Sequence, residues 1–135
     1  MDVNLPAPHA ELSAAFARYE DALVANRVDV LDELFWASPH TVRYGVGENL
    51  VGIEAIRAFR LARPSAGLAR TLQHTVITTY GQDFGTAMTE FRRGTSAAIG
   101  RQSQTWCRID GRWVVVAAHV SLLQPPVANP KENLP

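Results

Sequence analysis

The hydrophobic period of this sequence changes once, near its midpoint, and that change limits the fold more than any other feature. In the first half, apolar residues recur at helical spacing, which is typical of helices that bury one face. In the second half, β-branched and aromatic residues form short runs, which is typical of strands. Helices followed by successive strands predict an α+β domain in which N-terminal helices cover one face of a sheet.

The helical spacing predicts three helices. They run from Pro8 to Asn26, from Val30 to Phe35, and from Ile53 to the proline at position 64. The first carries an apolar stripe that includes Tyr19, so this stripe is expected to face the core. Between the second and third helices, residues 41–46 are predicted to form a short strand.

Four strands in succession are predicted in the second half of the chain. They are His74–Tyr80, Thr86–Arg93, Arg101–Ile109 and Trp113–Leu123. Asp110-Gly111 joins the last two, and this dipeptide favours the type I′ turn of a tight hairpin. We therefore expect an antiparallel meander, with residues 1–124 forming one domain and residues 125–135 a proline-containing tail.

The charge and the cysteine content exclude several classes of partner. Thirteen basic and thirteen acidic side chains cancel, so no strong field attracts nucleic acid or an anionic membrane. The single Cys107 forms no internal disulfide, and the N-terminal residues lack the features of a signal peptide, so we expect a cytoplasmic protein. The histidine and cysteine spacing matches no zinc site, and phosphate-loop and dinucleotide motifs are absent from the sequence. Any chemistry is expected to need no metal and no cofactor.

Two arginines stand where the apolar pattern asks for hydrophobic residues. Arg60 follows Phe59 on the inner face of the predicted third helix, and Arg43 lies in the short strand beside Tyr44. A guanidinium directed into a core needs an anion, and it binds a carboxylate through two hydrogen bonds. For each of these a solvated or salt-bridged arginine is the alternative. That alternative is favoured for four others, namely Arg18, Arg27, Arg70 and Arg112.

Tyr19 is expected to bury its ring, so its hydroxyl needs either a partner or a cavity. Beside an arginine a phenol loses its proton more readily, and it then serves in proton transfer or as a nucleophile. The alternative is a core tyrosine bonded to the backbone. The pair of Tyr19 and Arg43 is therefore the first candidate site.

The strand from Arg101 to Ile109 carries an unusual run of polar residues. Alternation places Gln102, Gln104 and Trp106 on one face and Arg101, Ser103 and Thr105 on the other. One of these rows is expected to face a cavity or an interface. The period alone leaves open which one it is.

An acid, an imidazole and a hydroxyl lie on strands next to this one. They are Glu90, His119 and Ser121, and their convergence would form a polar site together with Arg101. In the alternative, Glu90 pairs with an arginine such as Arg92 or Arg101, and His119 is a core histidine.

Several short motifs, in a fixed order, resemble a known family. They are Phe16-x-x-Tyr19-Glu20, Leu34-Phe35-Trp36, Thr41-Val42-Arg43-Tyr44-Gly45, Ala58-Phe59-Arg60, Gly100-Arg101-Gln102-Ser103-Gln104-Thr105-Trp106 and Ala118-His119-Val120-Ser121. From about residue 10 to residue 123 the chain resembles the SnoaL-like family of the nuclear transport factor 2-like superfamily. That family includes a small protein encoded with oxalurate catabolism and an amidohydrolase of cyanuric acid degradation. The resemblance implies a cone-shaped fold, a homodimer and a small cavity at the open end of the cone.

The resemblance also implies an activity. The cyanuric acid relative hydrolyses 1,3-dicarboxyurea to allophanate with loss of a carboxyl group, and its essential tyrosine and arginine correspond to Tyr19 and Arg43. The leading hypothesis is therefore a hydrolase of a small anionic ureido acid, with six further residues binding the substrate. These are Arg60, Glu90, Arg101, Gln104, His119 and Ser121.

Two alternatives remain open at this point. The protein is a non-catalytic dimer that binds a ureido metabolite or assists a partner amidase, or it is an isomerase of the ketosteroid isomerase kind. The isomerase needs an inward carboxylate base beside an apolar pocket, and Glu90 is the candidate for that base.

Overall fold

The computed structural model describes residues 1–124. The helices are α1 (Pro6–Val24), α2 (Val28–Leu34) and α3 (Ile53–Ala62). The strands are β1 (Val42–Tyr44), β2 (Asn49–Val51), β3 (Thr71–Tyr80), β4 (Phe84–Arg92), β5 (Ile99–Ile109) and β6 (Arg112–Leu123). The predicted proline-containing tail lies outside the described residues.

The three helices form where the apolar period predicts them. Proline opens α1, where its missing N–H costs no helical hydrogen bond, and the buried stripe of α1 includes Tyr19. The backbone leaves α2 at Phe35, which is extended and bridges to Val115 of the sheet. Gly52 precedes α3 with φ of 88°, a conformation that glycine adopts readily. In the described residues, no helix combines the length and apolarity that crossing a bilayer requires.

The sheet has six strands in the order β2-β1-β6-β5-β4-β3. The expected antiparallel meander is present in β3 to β6, and Asp110 and Gly111 both have positive φ, as a type I′ turn requires. Two features go beyond the prediction. β1 pairs in parallel with β6, and β2, which is too short to show a period, continues the sheet at its edge.

The sheet has an inner face, which packs on the helices, and an outer face. The register shows the division in two adjacent rows. The inner row runs across the sheet through Ala87, Gln104, Ala118 and Arg43. The outer row beside it runs through Met88, Ser103, His119 and Tyr44. The α+β class with N-terminal helices over a sheet is thus confirmed.

Candidate functional site

Tyr19 lies at the centre of the space between the helices and the inner face. It is 4% exposed, and its ring packs against Phe35 at 6.2 Å and edge-on against Trp106 at 6.5 Å between centroids. Attraction to Tyr19 raises the pKa of three guanidinium groups, those of Arg60, Arg63 and Arg93, against the larger lowering by burial. These three arginines come from α3, its C-terminal end and the residue after β4.

Arg43 reaches the same region from β1. Its guanidinium lies over the Phe59 ring, 5.5 Å from the centroid, and pairs with Glu48 at 2.8 Å. Arg43 stands in the inner row, two strands from Gln104, with only the small Ala118 between them. The structure therefore brings Tyr19 and Arg43 to one side of the sheet.

Arg60 is buried, as its place on the apolar face of α3 suggests. It is 3% exposed, bonds Asp32 at 3.1 Å and lies 4.1 Å from the centroid of the Phe35 ring. Burial lowers the pKa of the Arg60 guanidinium, and attraction to Tyr19 and Asp32 offsets part of that effect. Arg60 is thus a charge held in the core by one carboxylate and one aromatic face.

Arg63 caps the C-terminus of α3 and points into the same space. Its Nε and Nη2 atoms are buried and have no acceptor among residues 1–124. Burial lowers the pKa of this guanidinium, and the positive charge of Arg43 lowers it further. Buried donor atoms without an acceptor are costly, so these two atoms mark a place where an anion would be bound.

Arg70, expected to be solvated, is instead buried. Its side chain is 1% exposed. It donates two hydrogen bonds to the Glu20 carboxylate, from Nε at 2.9 Å and from Nη2 at 2.6 Å, and its guanidinium lies over the Phe91 ring. The prediction failed because residue 70 precedes β3, where neither period gives a direction for its side chain. The other three arginines predicted to be solvated are exposed, namely Arg18, Arg27 and Arg112.

Arg93 also lies near the Phe91 ring. It lies 5.2 Å from the Phe91 centroid and donates to the carbonyl of Gly67. Burial lowers the pKa of Arg93, with a further contribution from the charge of Arg70. Gly100 allows this arrangement, because a Cβ at that position would overlap the Phe91 ring.

Gln102 and Gln104 settle which row of β5 faces inward. They are 3% and 1% exposed, and both present their amide groups to the helices. Arg70 donates to Oε1 of Gln102, and Trp106 donates to Oε1 of Gln104. Because arginine and tryptophan only donate, both amide orientations are fixed, and each Nε2 remains a buried donor without an acceptor in residues 1–124.

These side chains form what we call the inner cluster. It consists of Tyr19, Arg43, Arg60, Arg63, Arg70, Arg93, Gln102 and Gln104. Three of its five arginines pair with carboxylates, those of Glu48, Asp32 and Glu20. Arg63 and Arg93 have no carboxylate partner in the described part of the chain, so the cluster carries two excess positive charges and four unmatched donor atoms. Such a set is complementary to a small dianion that is rich in acceptors.

Four of the predicted substrate-binding residues lie elsewhere. Glu90, Arg101, His119 and Ser121 line a shallow depression of about 330 Å³ on the outer face. The sheet separates them from Tyr19, so they contact no ligand held by the inner cluster of the same protomer. Glu90 accepts a hydrogen bond from Gln73 at 3.1 Å, and His119 is exposed beside Tyr44 rather than in the core. The expected convergence therefore occurs, but on the outer face.

The sequence alone missed much of the inner cluster. The helical period places Arg63 one turn beyond Arg60 on the same face but gave it no role, whereas Arg93 gives no signal, because it follows the last residue of β4. The carboxylates that pair with the cluster also went unrecognised. Cys107 is half-buried, and burial raises the pKa of its thiol, which disfavours a reactive thiolate.

The comparisons with known proteins agree with this architecture. The AtzH-like family model matches residues 1–126. A protein of unknown function from the DUF3225 family of Pectobacterium atrosepticum is 63% identical, with a TM-score of 0.89 over 91% of this chain and 96% of that one. A cystatin-like fold protein from Burkholderia xenovorans is 47% identical, with a TM-score of 0.89 over 93% of this chain and 99% of that one. The search of curated proteins gave no match.

A more distant structure supports the fold alone. An NTF2-like protein of unknown function from Pseudomonas putida is 16% identical, with a TM-score of 0.71 over 87% of each chain. The predicted cystatin-like or NTF2-like architecture is thus confirmed.

Proposed function

Because the chain belongs to the AtzH-like family, we propose that it is a cofactor-independent amidohydrolase that removes a carboxyl group from a small dicarboxylated urea in nitrogen-heterocycle catabolism. The observation that carries this proposal is the inner cluster. It brings together a buried phenol, two guanidinium groups that have no carboxylate partner in the described residues, and two buried amide donors. Tyr19 and Arg43 are the proposed catalytic residues.

The cluster suits a planar dianion such as 1,3-dicarboxyurea. Arg43 and Arg63 would bind one carboxylate, since both guanidinium groups lie close to the Phe59 ring and influence each other's charge. Arg93 and Nε2 of Gln102 would bind the other, because both adjoin Arg70. Nε2 of Gln104 is then free to donate to the central carbonyl. Tyr19, which interacts with both Arg63 and Arg93, would lie between the two carboxylates.

The proposed chemistry follows from that position. The Tyr19 hydroxyl transfers its proton to the nitrogen as the bond from that nitrogen to the carboxyl carbon breaks, so an N–H replaces the carboxyl group and carbon dioxide leaves. Nearby guanidinium groups stabilise the phenolate that forms. Water then returns a proton to the phenolate, and hydration of carbon dioxide yields bicarbonate and balances the reaction. Arg43 holds the departing carboxylate until the bond breaks.

The test is release of allophanate and bicarbonate from fresh 1,3-dicarboxyurea, followed by NMR, with oxalurate, carboxybiuret and allophanate as parallel substrates. We expect Tyr19→Phe and Arg43→Ala to lower kcat/KM by about a hundredfold or more. Tyr80→Phe and Arg18→Ala are matched controls away from the cluster, and they should remain active. Saturable binding without product would overturn catalysis and favour the alternative, a binding protein that assists a partner amidase.

The structure does not place the catalytic base that the isomerase hypothesis requires on the inner face. It requires an inward carboxylate beside an apolar pocket, whereas Glu90 lies on the outer face and bonds Gln73. The charged lining of the inner cluster also disfavours an uncharged substrate.

We also propose that the outer face binds a second copy of this chain. Large apolar side chains are exposed there, namely Tyr44, Val51, Val76, Phe84, Met88 and Leu123. Glu90 and Arg101 stand beside each other on the same face, so a two-fold axis can bring each acid to the partner's base. Light scattering coupled to size-exclusion chromatography should give the mass of a dimer.

A further inference from the structure

Glu48 occupies the position that a substrate carboxylate would need. Its Oε1 accepts from Arg43 Nη1 at 2.8 Å, and its charge also acts on Arg63. Oε2 accepts from the backbone N–H of Gly47 at 3.2 Å. One carboxylate of the protein itself therefore bonds Arg43 and acts by its charge on Arg63, the two arginines proposed to bind the first carboxylate of the substrate.

Much of the rest of the inner cluster is closed to solvent, although the side chains of Arg63 and Arg93 are half-buried. The unmatched donor atoms of Arg63, Gln102 and Gln104 are buried, and Arg60 is 3% exposed. The Arg43 and Glu48 side chains are more open, at 13% and 26%. A ligand that approaches the cluster beside this pair therefore meets Glu48 before it meets the unmatched donors.

The segment that carries Glu48 is a short turn at the edge of the sheet. It connects β1 to β2, which pair over only three residues each, and β2 is the outermost strand. Gly45 and Gly47 flank the turn, and the Glu48 carboxylate fills the space that a Cβ on Gly45 would take. Few contacts hold such an edge hairpin, so its opening costs less than opening the helical core.

We propose that Glu48 is a specificity-determining residue that competes with the substrate for Arg43, and that the turn swings outward when a substrate carboxylate replaces it. This inference rests on the proposed function of the inner cluster. A monocarboxylate only replaces one ion pair at Arg43 by another, so it gains little free energy of binding. A dicarboxylate gains the second contact at Arg93 and Gln102, so the exchange selects dianions.

The experiment uses glutarate, which has the same spacing between carboxylates as 1,3-dicarboxyurea and contains no hydrolysable bond. Calorimetry measures its Kd for the wild type, Glu48→Gln, Glu48→Asp and the control Glu54→Gln. Glu54 is a matched carboxylate, because it pairs with Arg57 on the surface of α3 and is 87% exposed. Thermal melts verify that each variant is folded.

We expect Glu48→Gln to bind glutarate about tenfold more tightly, because Arg43 no longer has an internal carboxylate partner. Glu48→Asp keeps the charge but is one methylene shorter, so it should also bind more tightly, whereas Glu54→Gln should match the wild type. In the wild type, the Gly47 amide resonance should shift when glutarate binds, since its hydrogen bond to Glu48 breaks.

Each other outcome is decisive. Equal or weaker binding by Glu48→Gln would overturn the competition and leave Glu48 as a residue that only positions Arg43. Tighter binding by Glu48→Gln with unchanged binding by Glu48→Asp would show a through-space charge effect and overturn displacement. If glutarate binds to neither the wild type nor any variant, the anion site itself fails, which is distinct from a site that binds without turnover.

Discussion

Both faces of β5 carry polar residues, but those on the inner face are buried and those on the outer face border solvent. Its inner residues Gln102 and Gln104 are buried and orient their donors by bonding Arg70 and Trp106. Its outer residues Arg101 and Ser103 border an open depression beside exposed apolar side chains. A polar group in water is matched by solvent, whereas a buried one needs a partner. The unmatched donors on the inner face therefore indicate a ligand, and the outer groups indicate at most a surface for a partner.

The same contrast applies to the arginines. Exposed ion pairs such as Arg18–Glu33 contribute little to the stability of the protein, since water screens their charges. Buried pairs such as Arg70–Glu20 must be matched closely, because an uncompensated charge in the core is costly. Three inner arginines meet this requirement with carboxylates. Arg63 and Arg93 do not, which is why we assign the anionic substrate to them.

The largest predicted difference compares two ion pairs of similar length. Arg70 lies 2.6 Å from Glu20 in the core, and Arg18 lies 2.7 Å from Glu33 on the surface. Arg70→Leu should lower the free energy of unfolding by about 3–5 kcal/mol, because it leaves the largely buried Glu20 carboxylate, 14% exposed, without a partner. Arg18→Leu should change it by less than about 1 kcal/mol. Urea denaturation measures both, and equal effects would contradict the contrast.

The second prediction compares neighbouring residues of β5 by activity. Gln104→Leu keeps the approximate volume and removes the inner donor, so kcat/KM for 1,3-dicarboxyurea should fall by about 10–100-fold. Ser103→Ala removes a polar group from the outer face and should leave kcat/KM within about twofold. Steady-state kinetics with melting curves separate activity from folding. An active Gln104→Leu variant would remove this donor from the proposed site.

The sequence predicts the frame of this molecule better than its site. Local periods are enough for three helices, four long strands and the Asp110-Gly111 turn, because each depends on neighbouring residues. The parallel pairing of β1 with β6 depends on contacts between distant parts of the chain, and no local pattern reports it.

The helical period predicted that Tyr19 and Arg60 face the core, and both are buried, whereas Gln104 came from a polar run whose inner row the period left open. Period alone did not distinguish the two faces of the sheet, so Glu90 and His119 were assigned to the same site. Arg70 and Arg93 stand at strand ends, where alternation no longer gives a direction for the side chain. Their positions follow only from tertiary packing against Phe91.

The third prediction concerns assembly through the outer face. Met88 is 47% exposed in the middle of this face, and Leu61 is 76% exposed on α3. Met88→Glu should weaken self-association by about tenfold or more, since a two-fold interface would bring the two new charges together. Leu61→Glu, an equal change on α3 and away from the outer face, should keep the mass of the dimer. Sedimentation equilibrium measures both, and unchanged association of Met88→Glu would exclude this face.

The smallest predicted effect tests the packing beneath the inner arginines. A Cβ at Gly100 would overlap the Phe91 ring, whereas a Cβ at Gly47 would meet open space. Gly100→Ala should therefore lower the free energy of unfolding by about 1–3 kcal/mol, and Gly47→Ala by about 0.5 kcal/mol or less. Because Arg70 and Arg93 both lie on that ring, the Gly100 variant should also bind glutarate more weakly. Loss of stability with unchanged affinity would mean that the ring supports the fold without positioning the arginines.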